Sequence, residues 1–132
     1  MKIQLEKHPS PNEKRVEMTL DEIIKELDLT ILTSGEELRQ ITPTHGYVSD
    51  LLSCVMTGAG KGSIWVTLQS HVNIVAVAAL LELTAIIITE GATPDEATIT
   101  KANHEGVLIL ATPKRSFEIV GRLWEFGLRA AN

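Results

Sequence analysis

Residues 63–91 constrain the fold more than any other stretch of the chain. A β-branched run at 64–68 meets the polar cluster Gln69, Ser70, His71 and Asn73; an apolar helical run over 72–83 follows, and then a second β-branched run at 85–88. Two such runs joined by a helix-length segment are the pattern of a βαβ unit, because parallel strands need a crossover. The helix is apolar nearly all round, so it needs cover from the sheet and from something else. At about a dozen residues it is too short to span a bilayer, which takes about 20.

The flanking sequence extends the pattern. Thr19 and Glu22 stand at capping-box spacing, and Leu20, Ile23, Ile24 and Leu27 follow at i, i+3, i+4 and i+7, which predicts a helix packed by one face. Residues 29–32 read as a strand and Thr33-Ser34-Gly35 as its turn. Pro43 and Gly46 break up the next section, leaving a short strand at 46–49. A brief helix then carries Leu51, Leu52, Val55 and Met56, with Ser49 or Asp50 as cap and Gly58 as stop. Thr93-Pro94-Asp95-Glu96 reads as a capping box with Thr93 as cap and proline at the first helical position, and the helix runs to about His104 and ends at Gly106. Residues 107–111 form the last strand. The last helix, 116–128, is expected to bury Phe117, Val120, Leu123, Trp124 and Leu128. Strands alternating with helices imply a layered, Rossmann-like α/β domain with a mainly parallel sheet, in which 64–68, 85–88 and 107–110 lie side by side.

Length and charge bound what such a domain does. Of the 132 residues, 1–17 carry two prolines and alternating charges and read as a flexible tail, leaving 18–132 as a single domain. A net charge of −5 with scattered Lys and Arg argues against a nucleic-acid partner. One cysteine, Cys54, allows no internal disulfide, and the chain opens on no secretion leader, so a cytoplasmic location and no membrane partner are expected. Cys54 itself reads as core on the short helix.

Ligands of open α/β sheets sit outside the carboxyl ends of the strands. The junctions there are Gln69 to Asn73, Thr89 to Thr93 and Thr112 to Ser116. The first has four polar side chains before a helix that one cap would satisfy, and the amides of a helix start suit an anion. The plainer explanation is that Ser70 or Asn73 caps the helix while Gln69 and His71 satisfy neighbouring backbone groups. Gly91 suits a turn, and Lys114 and Arg115 either pair an acidic ligand or are solvated. The ligand-binding candidates are Tyr47, Asp50, Thr67, Gln69, His71, Asn73, Thr89 and Gly91.

Other motifs fail on chemistry. Gly58-Ala-Gly-Lys-Gly-Ser63 resembles a phosphate loop, but Val55 stands where its first glycine belongs, Gly62 follows the lysine, and a strand comes after it instead of a helix. His8, His45, His71 and His104 lack zinc-type spacing, so neither a metal nor a cofactor is expected. No Gly-x-Ser-x-Gly occurs, and Ser70 beside His71 is not a triad.

The phrase from Gly46-Tyr47-Val48-Ser49-Asp50 through Met56, with Gly62-Ser63-Ile64-Trp65-Val66-Thr67-Leu68-Gln69-Ser70-His71-Val72-Asn73, resembles the stand-alone DRTGG-domain proteins. Ala85-Ile-Ile-Ile-Thr-Glu-Gly91, Pro94, Lys101-Ala102 and Glu105-Gly-Val-Leu-Ile-Leu110 continue the resemblance, which covers roughly 20–128. The literal Asp-Arg-Thr-Gly-Gly string is not in the chain. The resemblance implies the fold of the amino-terminal domain of HPr kinase/phosphorylase, an accessory regulatory domain whose kinase chemistry lies in a separate domain. It also implies a signalling protein partner and a homodimer.

Together these point to a non-catalytic regulatory module that binds a small polar or anionic ligand or docks a protein. The alternative is a small enzyme on an anionic metabolite, with His71 as acid or base and Gln69, Asn73 and Asp50 orienting the substrate. The last helix holds more apolar side chains than a sheet can cover, so Trp124 and Phe126 are the candidates for a dimer interface.

Overall fold

The computed structural model describes residues 18–131. The expected tail, 1–17, lies outside the described residues. In chain order the elements are α1 (Leu20–Leu27), β1 (Thr30–Ile31), a 3-10 helix (Glu36–Gln40), β2 (Gly46–Val48), α2 (Leu52–Gly58), β3 (Ile64–Thr67), α3 (Asn73–Leu81), β4 (Ala85–Ile88), α4 (Glu96–Glu105), β5 (Ile109–Ala111) and α5 (Ser116–Glu125).

The five strands form one sheet in the order β1-β5-β4-β3-β2. β2 through β5 are mutually parallel, as the βαβ pattern requires, with Val66 opposite Ile87 and Ile87 opposite Leu110. β1 is antiparallel to β5, pairing Thr30 with Ala111 and Ile31 with Leu110. β3 ends at Thr67, one residue before the expected end, because the Leu68 N–H turns aside to the carboxylate of Asp50.

The topology decides which helix covers which face. β2, β3, β4 and β5 are neighbours in sequence order, so three right-handed crossovers put α2, α3 and α4 on the same face. That face packs Val55, Ile74, Val75, Val77, Ala78 and Ala102 against Trp65, Ile86, Ile88 and Ile109. The opposite face is left to α1 and α5, which lay Leu20, Ile23, Leu27, Ile119 and Leu123 over Ile64, Val66, Ile87, Leu108 and Leu110. Alternate residues of each central strand thus serve two cores, which is why these strands read as continuous apolar runs. α3 obtains its second cover from α2 and α4 on either side, though Leu80 stays 67% exposed.

Three local expectations are corrected. α4 is capped by Asp95 and not by the Thr93 box, since the Asp95 carboxylate reaches both the N–H (2.9 Å) and the hydroxyl (2.8 Å) of Thr98. Two bonds to one carboxylate outweigh the single reach of a threonine hydroxyl. Cys54 is half-buried, because Val55 takes the inward position of α2. On α5 the buried stripe runs through Ile119 and Leu123, which turns Phe117 (92% exposed) and Trp124 (54% exposed) outward.

Candidate functional site

The structure joins three of the eight ligand-binding candidates in one network at the carboxyl ends of β2 and β3. Asp50 Oδ1 accepts from the Thr67 hydroxyl at 2.8 Å and from the Leu68 N–H at 2.9 Å. The Gln69 N–H donates to the Thr67 hydroxyl oxygen at 3.0 Å, and the Gln69 amide donates to the Asp50 carbonyl at 3.2 Å. Beneath them the fully buried Trp65 donates its indole N–H to the Ser49 carbonyl at 2.9 Å. Asp50, Thr67 and Gln69 therefore use much of their bonding capacity on each other, tying the turn after β2 to the end of β3.

His71 and Asn73 stand apart from that network. The chain enters α3 through Val72 in right-handed helical geometry, and Val72 offers no side-chain cap. His71 Nδ1 fills the role, accepting the Asn73 backbone N–H at 3.1 Å. The expected cap, Ser70 or Asn73, is thus replaced by the imidazole, which lies within reach of an amide two residues on. Both His71 and Asn73 are exposed, and among the described residues no second side chain lies in hydrogen-bond reach of His71.

The second and third junctions are bound to one another. Thr89 is buried, its N–H donating to the Thr67 carbonyl at 3.0 Å and its hydroxyl bonded to that of Ser116. Glu90 and Gly91 both take left-handed backbone geometry (φ 63° and 78°), a pair that needs glycine in one of its two places. Their N–H groups donate to the carbonyls of Lys114 and Thr112. The Glu90 carboxylate accepts the Ser116 N–H at 2.7 Å and Arg115 Nη1 at 3.1 Å. The Ser116 amide first, and Arg115 second, hold its pKa below the usual carboxylate range. Lys114 Nζ donates to the Leu27 carbonyl at 2.7 Å, closing the end of α1. Lys114 is thus bound within the chain, while Arg115 pairs with Glu90 from a side chain that stays 83% exposed.

A concave feature lies elsewhere among the described residues, on the α1/α5 face beside the edge strand β2. With only two helices for five strands, that face leaves the Val48 side of β2 uncovered. The result is a pocket of about 320 Å³ lined by Gly46, Tyr47 and Val48 of β2, Val66 of β3, Val120, Leu123 and Trp124 of α5, and the following Leu128, Arg129 and Ala130. The segment after α5 is held along β2 by the Gly46 N–H, which donates to the Arg129 carbonyl at 3.0 Å. A side chain at Gly46 would sit 3.2 Å from Leu128 Cδ2, so the two strips pass closely.

Arg129 gives this pocket its charge. Its guanidinium lies 3.6 Å from the centroid of the Trp124 ring. Nη1 donates to the carbonyls of Trp124 (3.0 Å) and Leu128 (2.8 Å), while Nε is buried with no acceptor. Of the eight sequence candidates only Tyr47 lines the pocket, and its ring packs against Gly58 of α2. Trp124 lines it too. Phe126 is half-buried against the core and under the Arg122 guanidinium at 5.4 Å. Val48, Val66 and Arg129 escaped the sequence reading. The signal that locates them is topological: sequential parallel strands send their crossovers to one face and leave the other short of cover.

Among the described residues no three His, Cys, Asp or Glu side chains gather as a metal site, and no helix is long and apolar enough to cross a membrane.

No protein-family model and no curated protein matches the chain. Among solved structures, it is similar to the CBS and DRTGG domains of the regulatory region of a Clostridium perfringens pyrophosphatase, determined with its activator diadenosine tetraphosphate. The TM-score is 0.68 at 25% identity over 84% of this chain, which spans 47% of the matched one. The likeness supports the DRTGG side of the sequence resemblance: the parallel sheet and its helices make a DRTGG-like α/β domain.

Proposed function

We propose that the chain is a non-catalytic regulatory module that senses a small polar or anionic ligand, and that the pocket between β2 and α5 is where it does so. The observation that carries this reading is that the pocket has an apolar lining and one cation, Arg129, while Asp50, Thr67, Gln69, Thr89 and Glu90 at the carboxyl edge are spent on internal bonds. Convergence of a few polar groups on an apolar concavity is the usual form of a small-molecule site. The regulatory character of the similar pyrophosphatase region, which binds an anionic nucleotide, supports it. Kinship to the amino-terminal domain of HPr kinase, a cytoplasmic location and a signalling protein partner belong to the same reading and rest on the sequence.

The test is a thermal-shift screen against nucleotides including diadenosine tetraphosphate, acyl phosphates and small organic acids. A ligand at 100 times its dissociation constant stabilises the fold by about 2.7 kcal/mol. A Val120→Trp variant, which fills the pocket, should lose the shift. A screen with no shift, or a shift that survives in Val120→Trp, rejects the pocket as the sensing site.

Self-association through α5 is the second part of the proposal, supported by the exposure of Phe117 and Trp124. Sedimentation velocity at micromolar concentration should show a dimer that Phe117→Ser weakens. A purely monomeric species removes it.

A further inference from the structure

Resting on the reading of the β2/α5 pocket as the sensing site, we infer that its ligand is a small amphipathic monocarboxylate, with an apolar body between Val48, Val66, Val120 and Trp124 and its carboxylate on Arg129. Size sets the first limit. A pocket of about 320 Å³ stands at the lower end of small-molecule sites, which run from about 300 to 1,000 Å³. It accommodates a single ring or a branched chain, and a dinucleotide far exceeds it.

Charge sets the second limit. Arg129 is the one cation in the lining, and among the described residues no carboxylate lies within ion-pair distance of it. A guanidinium is the side chain best suited to a planar anion, and this one has no carboxylate partner among the described residues. Its Nη1 is committed to two carbonyls, while its buried Nε has no acceptor, which leaves the Nε–Nη2 edge of the group as an unbonded fork. That fork matches the two oxygens of a carboxylate. Trp124, stacked on the same guanidinium at 3.6 Å, keeps its plane in place.

Phosphate is the competing anion, and the lining disfavours it. A phosphate dianion needs several donors or a second cation, whereas no Ser, Thr, Lys or His side chain lines this pocket. One fixed charge among valines, leucines and an indole fits a single negative charge on an apolar body.

The experiment is isothermal titration calorimetry on the full chain with four probes: phenylacetate, 4-methylpentanoate, phenylacetamide and phenyl phosphate. Phenylacetate or 4-methylpentanoate should bind at least about tenfold more tightly than the uncharged amide, the scale of one charge-assisted fork. Arg129→Gln should erase that preference. Arg129→Lys, which keeps the charge but not the fork, should fall between. Equal affinity for acid and amide in the unmodified protein overturns the carboxylate assignment and leaves the sensing reading intact. Tighter binding of phenyl phosphate does the same in favour of a phosphate ligand. If no probe binds at millimolar concentration the assignment is wrong, and the sensing reading falls with it only if the wider thermal-shift screen is also blank. The acid-to-amide comparison uses the unmodified protein, so it stands even if an Arg129 variant fails to fold.

Discussion

Glu90 closes the start of a helix that begins 26 residues later in the chain, its carboxylate accepting the Ser116 N–H at 2.7 Å. The residue before α5, Arg115, supplies no side-chain cap of its own, so this helix depends on the loop after β4. A negative charge at a helix start also answers the positive end of the helix dipole.

Glu90→Gln should therefore destabilise the fold at neutral pH. The folded-state pKa of Glu90 is depressed below its ordinary value of 4.5, so its contribution is fully present above that value and is lost as pH falls through the folded pKa. Urea unfolding of both proteins should show a stability gap at pH 7 that narrows at about pH 3. A gap that stays constant with pH shows that the carboxylate's charge plays no part.

Gly58→Ala should also destabilise. The added methyl carbon would lie 2.5 Å from Tyr47 Cε1 and 2.7 Å from its hydroxyl oxygen, so the ring must leave its place on α2. Forcing one methyl group into such a contact costs about 1–3 kcal/mol. The double variant Gly58→Ala with Tyr47→Ala should recover part of that loss, and unchanged stability in the single variant contradicts the packing described.

Asp50→Ala is expected to cost about 1–3 kcal/mol, although the residue is exposed, because it strips an acceptor from the Thr67 hydroxyl and the Leu68 N–H together. Amide exchange should speed up at Leu68 more than at Ile64, at the other end of the strand. Uniform exchange along β3 would mean that the carboxylate does not hold the strand end.

The orientation of α5 is checked by a pair of substitutions. Ile119→Ala, at a fully buried position, should cost about 2–5 kcal/mol. Phe117→Ser, at a position 92% exposed, should change monomer stability by less than about 0.5 kcal/mol. Chemical denaturation at low protein concentration measures both, and the reverse ranking restores the expected buried side.

The sequence by itself determined the class of fold and most of its elements, though not the 3-10 helix at Glu36–Gln40 or the end of α5 at Glu125. The apolar runs at β3, β4 and β5 have no polar alternation, so they are buried on both faces, and that property is written residue by residue. The capping box at Thr19 and the glycine stop at Gly106 are equally local, since each bond spans only three or four residues. The polar cluster after β3 was visible too, but its partners were not: Asp50 meets Thr67 across 17 residues, and Glu90 meets Ser116 across 26. Sheet registration makes those contacts, and no periodicity encodes them.

The face of α5 shows the same limit. Its apolar residues nearly encircle the helix, so the pattern admits several buried sides, and only the place left by α1 on the sheet selects Ile119 and Leu123. The pocket follows from the same decision. Crossover handedness sends α2, α3 and α4 to one face, and the uncovered strip of β2 brings Val48, Val66, Trp124 and Arg129 together from three separate parts of the chain.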